Sequence, residues 1–229
     1  MHPDLQPATP PAPSLPSAPS ADPARPDLRI DWRIPATPPG LSGWLDRFTG
    51  PGKTRSETVA ETAGAGLCAV LLAAGIAATD LAGTWSGLQL AVVVLMGLDV
   101  LGGILTNATN SAKRWYHRPG PGARRTRLLF VSAHLLHLAA TGLVVLDGDW
   151  RWTLANTAVL LCATAVVECA PVHLKRPVAM AAYTAAVLIN LFWLTLPVAL
   201  AWFAPLFFLK LLVCHLIPEA PLEKAADDD

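Results

Sequence analysis

Between Val59 and Ile217 the chain is a succession of apolar runs with few charges inside them. Each run is close to the 20 or so residues that a helix needs to cross a bilayer. In hydrocarbon every backbone N–H and C=O must be paired within the protein, which leaves helices or a closed barrel. Runs of this length select helices. Of the 229 residues 53% are hydrophobic and only 15% charged, which fits a chain that is mostly lipid-embedded. An all-α, polytopic bundle of about six transmembrane helices is therefore expected.

The expected spans are Val59–Leu81, Leu88–Asn107, Leu128–Leu146 and Trp152–Ala170, followed by an apolar stretch from Val178 to Ile217. That stretch is too long for one helix, and Pro197 in "LTLPVAL" is the natural place to divide it into a fifth and a sixth. Residues 59–217 thus form the transmembrane domain. Residues 1–25, rich in Pro, Ala and Ser, are expected to be a disordered, hydrated tail rather than a secretory signal. Residues 26–58 read as a basic juxtamembrane segment in which Leu41 to Phe48 forms a short interfacial helical turn with Arg47 facing phosphates. Residues 218–229 read as a short acidic tail.

Charge placement orients the bundle. With the N-terminus inside, the inner segments are 1–58, 108–127, 171–177 and 218–229, and they hold 15 of the 17 Lys and Arg residues. Such a bias predicts that both termini are cytoplasmic, in a plasma or inner membrane. Trp85, Trp150, Trp152, Trp115 and Tyr116 fall near span ends, where interfacial aromatics belong. Cys68, Cys162, Cys169 and Cys214 lie in apolar runs without metal-ligand spacing and are read as buried, apolar thiols.

Ionisable residues inside such spans are costly and mark sites or ion pairs. Asp99 lies about 12 Å from the inner end of its span, His134 and His137 about 9 and 14 Å into theirs, and Lys210 about 10 Å into the last. Helical spacing puts Asp99, Gly103, Thr106 and Asn110 on one face, and His134, His137 and Thr141 on another. These faces converge on an interior entered from the cytoplasm. Asp99, His134, His137, Glu168 and Lys210 are the candidate catalytic residues. Asn107, Lys113, Arg114, His117 and Asn190 are the candidate substrate-binding residues. Gly102 and Gly103 permit close helix approach.

Two histidines one turn apart and a carboxylate from a neighbouring helix suit zinc, with an open position for water, or iron as a facial triad. Asp99, His134 and His137 are the candidate ligands, and Lys210 would oppose a cation there. Haem would need opposed histidines, one of this pair and His215. The metal-free alternative is acid–base chemistry at Asp99 with a histidine as shuttle. Plain ion pairing between Asp99 and Lys210 is the structural alternative.

The basic loop "NSAKRWYHRPGPGARRTR" attracts anionic lipid or binds a substrate's charged end, and it is too short and too close to the membrane for nucleic acid. The functional expectation is an integral membrane enzyme acting on a lipid-like or anionic amphiphilic substrate. A proton-coupled transporter and a membrane scaffold are the alternatives.

Overall fold

The computed structural model describes residues 21–22, 25–79, 83–120 and 122–224. The tail residues 1–20 and 225–229 lie outside the described residues.

The fold is a helical bundle. Helix α1 (Gly40–Thr49) precedes α2 (Arg55–Ala77) and α3 (Gly87–Ala108), and a short α4 (Asn110–Tyr116) follows α3 directly. Next come α5 (Ala123–Ala133) and α6 (Leu135–Ala140), continued by a π-helical turn over Thr141–Val145. Helix α7 (Trp150–Cys169) and α8 (Lys175–Phe192) form a hairpin. The last helical unit begins with a 3-10 turn (Val198–Leu200), continues as α9 (Phe203–Phe208) and ends as a π-helical segment (Leu209–His215).

Among the described residues five units are long and apolar enough to cross a membrane: Arg55–Ala77, Gly87–Ala108, Ala123–Val145, Trp150–Cys169 and Val198–His215. Helix α8 has 18 residues, and its first turn carries Lys175 and Arg176.

Side-chain caps explain where several helices begin. Thr54 and Glu57 form a capping box at α2, and Ser86 and Gln89 form one at α3. Thr109 caps α4 by accepting from the Ala112 N–H, and Asp149 caps α7 by accepting from that of Trp152. Before α7 the chain turns through Asp147 and Gly148, both at positive φ. The break in the last apolar stretch comes five residues before Pro197, because α8 ends at Phe192. Trp152 Nε1 donates to the Leu194 carbonyl at 3.1 Å and supplies a partner to backbone freed by that break.

The core gathers Phe203, Phe207, Phe208, Leu211 and Leu212 of the last unit against Val100, Val131, Leu138 and Leu160. Helix α2 buries no residue and packs along α3 at the edge of the bundle. Helix α1 exposes Leu41, Trp44, Leu45 and Phe48, as an interfacial helix does. Arg47 folds back to donate to the Thr37 hydroxyl at 2.8 Å.

Three findings depart from sequence expectation. A small antiparallel sheet, β1 (Ala21–Asp22), β2 (Arg25–Ile30) and β3 (Leu222–Lys224), joins the two ends of the described chain, with Ile30 opposite Leu222. Trp152 and Tyr116 are buried rather than interfacial, because each polar tip finds a backbone carbonyl, Leu194 O and Phe48 O. Cys162 and Cys169 lie exposed on the outer surface of the bundle rather than in its core.

Candidate functional site

Three helical units converge on one oxygen. Asp99 Oδ2, from α3, lies 2.8 Å from His137 Nε2, 3.6 Å from His134 Nε2 and 2.5 Å from Lys210 Nζ. Lys210 Nζ also donates to the Asp99 carbonyl at 3.1 Å. His134 and Lys210 are buried, whereas Asp99 is half-buried at the wall of a cleft.

Local irregularities present these groups. The helix tightens at His134, where the Val131 carbonyl accepts from the His134 N–H and the His134 carbonyl from the His137 N–H. One turn past His137 it widens into the π-turn at Thr141. Lys210 belongs to the second π-helical segment. Departures of this type are enriched where a helix presents functional side chains.

Gly103 completes the geometry. A Cβ there would lie 2.2 Å from Lys210 Cε and 2.6 Å from Nζ, so the lysine reaches Asp99 only by lying across bare backbone. The sequence alone shows the small residue and not the side chain that uses it.

The His134 tautomer follows from its partner. Nδ1 lies 2.7 Å from the Phe130 carbonyl, which only accepts, so Nδ1 carries the proton. Neutral His134 then turns the Nε2 lone pair toward a carboxylate, and that buried nitrogen has no hydrogen-bond partner among the described residues. Two acceptors facing each other repel unless a proton, another donor or a cation lies between them. A hydrogen bond on one ring nitrogen that orients the other is the arrangement that supports metal ligation. One atom from each of Asp99, His134 and His137 lies within 4.8 Å of the others, which suits one ion. This buried Asp/His/His cluster in a bundle of apolar helices is a candidate metal or ligand site.

The cleft below Asp99 has a volume of about 200 Å³. Gly102, Gly103, Thr106 and Asn107 form its floor, with Phe48 and Leu98 at its edge. Thr106 donates its hydroxyl to Glu61, which also pairs with Lys53. The sequence signals Glu61 only through an acidic pair, Glu57 and Glu61, one turn apart at the N-terminal end of an apolar helix. The rings of His137, His134, Phe130, His215 and Tyr116 lead away from Asp99 as a column, with successive centroids 4.8, 4.6, 4.1 and 4.8 Å apart.

Other expected site residues lie elsewhere. Glu168 receives two hydrogen bonds from Arg127, at 2.9 and 3.1 Å, with Arg124 and Lys175 within 4 Å. Asn190 donates to Asn156 Oδ1 at 2.9 Å and to the Ala186 carbonyl at 3.0 Å, which ties α8 to α7. Lys113 is buried and donates to the carbonyls of Cys214 and Ile217 at 2.7 and 2.9 Å, with Glu219 at 3.4 Å. Burial pulls the Lys113 pKa down, and Glu219 opposes that. Arg114 donates to the Gly52 carbonyl at 3.3 Å. His117 Nε2 lies 2.9 Å from the His215 carbonyl, and burial lowers its pKa to about 4.

Comparison of the chain with protein-family models, with characterised proteins and with solved structures finds no match.

Proposed function

We propose that this is an integral membrane enzyme whose Asp99–His134–His137 centre acts on the polar end of a lipid-like amphiphile. The observation that carries the reading is a carboxylate oxygen with two imidazole nitrogens and a lysine ammonium within 3.6 Å, at the wall of a cleft. Phe48 and Leu98 at the cleft's edge are both exposed, on surfaces that would meet lipid. An acyl chain can therefore lie against them while its polar end enters sideways.

A divalent metal is the cofactor this reading favours. Asp99, His134 and His137 would hold the ion, and a bound zinc would supply Lewis-acid chemistry and a water acidified toward neutral pH. Iron could use the same set as a facial triad. Lys210 would hold the Asp99 carboxylate in place and balance its charge when no metal is bound.

The proposed topology has six crossings, with α8 as the sixth membrane helix and both ends inside. The β2–β3 pairing supports an even number, since an odd number would separate the chain ends across the bilayer. The positive-inside bias supports the orientation.

Metal analysis of the purified chain, wild type against His134→Ala/His137→Ala, tests the cofactor. About one zinc or iron per chain, lost in a variant that still unfolds cooperatively, supports the centre. No stoichiometric metal in either leaves metal-free acid–base chemistry at Asp99 and His137. Membrane lipid extract incubated with wild type and with Asp99→Asn tests the enzyme. A species consumed by wild type alone is expected, and identical lipid profiles would sink the reading.

A further inference from the structure

An apolar groove of about 400 Å³ runs between α2 and α3. Val93 and Gly97 form its floor, Ala73 one wall, and the exposed Leu90 and Leu98 the other. A Cβ on Gly97 would lie 3.0 Å from Leu72 Cδ2, so the two helices touch at that floor. Above it they part, and α2 buries no residue. Atoms lining such a gap lack dispersion partners unless another chain supplies them.

What fills the groove follows from where it leads. Leu98 lines both the groove and the cleft that holds Asp99, so the two spaces meet at one side chain. A second apolar groove, of about 690 Å³ between α7 and α8, shares no lining residue with that cleft. From Leu98 to Leu90 the helix rises about 12 Å, room for about ten methylenes of an extended chain. Toward that far end Ile76 and Trp85 pack onto the cluster of Val93, Val145 and Leu200. The path therefore has a polar start, an apolar course and a limited length.

Resting on the enzyme reading above, we infer that the α2–α3 groove holds the acyl chain of the substrate, with its polar end at Asp99 and its methyl end toward Leu90. The occupant is a single chain, and its contacts end about ten to twelve carbons from the head group.

The test is photocrosslinking of the full chain, in phosphatidylcholine nanodiscs, with dodecanoic acid that carries a terminal diazirine. Its small head group suits a cleft of about 200 Å³. Labelling is expected around Ala77 and Leu90, and unlabelled dodecanoic acid at about ten times its Kd should cut it about tenfold. Labelling of α7 and α8 should persist under the same competition, as for bulk lipid. Ala73→Trp, which fills the groove, should lower the competed labelling by about tenfold. Ala185→Trp, in the second groove, should leave it unchanged. Thermal unfolding reports whether each variant is folded, and the wild-type competition needs no variant. Equal response of the two grooves to competitor, or full labelling in folded Ala73→Trp, overturns the inference. The lipid-extract assay on the same preparations separates the readings. Asp99-dependent turnover without competed labelling sinks the groove alone, and competed labelling without turnover sinks the enzyme reading and leaves the groove as a chain-binding site.

Discussion

Gly103 and Lys210 share one space: the glycine's missing side chain is the channel through which the lysine reaches Asp99. Gly103→Ala puts a methyl group where Lys210 Cε lies. It is expected to expel the ammonium, strand the Asp99 carboxylate and lower stability by about 2–4 kcal/mol. Lys210→Met in the same background should recover part of that loss, because the flexible thioether can move aside and carries no charge. Thermal unfolding of both variants and the double variant checks this, and strictly additive effects would refute the shared space.

Lys113→Met removes the donor to two carbonyls at the end of the last helical unit. A destabilisation of about 2–3 kcal/mol is expected, as for unpairing buried acceptors. Lys113→Arg should not restore it, since a planar fork cannot reach both carbonyls as a compact ammonium does. Denaturation midpoints of the two variants decide the matter.

His117 is held neutral by burial, with Lys113 and Arg127 adding to that effect and the His215 carbonyl and Glu168 opposing it. Its folded pKa, about 4, lies below its ordinary value of 6.5. Between these values the unfolded chain binds the extra proton, so stability falls as pH drops from about 6.5 to about 4. The full span corresponds to roughly 3 kcal/mol. Replacing His117 with Gln should flatten the unfolding midpoint against pH across that window. A slope equal to the wild type's would assign the dependence to another group.

Glu168→Gln weakens the paired hydrogen bonds from Arg127 that join α5 to the end of α7. It should cost about 1–3 kcal/mol of stability while leaving bound metal unchanged. Asp99→Asn should reduce bound metal sharply. Elemental analysis of the two variants distinguishes a positioning carboxylate from a ligand.

The Asn156–Asn190 hydrogen bond joins α7 to α8 deep in the bundle. A double-mutant cycle with Ala at each position should give a coupling of about 1 kcal/mol, the usual scale for such bonds between membrane helices. A coupling near zero would mean that the amides find other partners.

Fold class was legible in one dimension, because the solvent a helix faces is written in the spacing and length of its apolar runs. Apolar runs near the length of a bilayer leave helices as the economical way to pair the backbone, and a few charges at comparable depth must share an interior. Asp99, His134, His137 and Lys210 could be grouped on that reasoning, because depth and helical face are one-dimensional properties of a regular helix.

What the tertiary structure decided lies where helices are irregular or where side chains bend back. The π-turn segment carrying Lys210 and the tightening at His134 break the regular spacing on which facial arguments rest. Lys113 and His117 look like ligands for an anion in one dimension, yet the fold spends them on carbonyls of the last helical unit. Glu168 is an acidic residue inside an apolar run like Asp99, yet its partner is Arg127, because α5 brings that guanidinium to it. Whether a buried polar group is a ligand or a brace depends on which partner arrives, and partners on other helices are specified only when the helices pack.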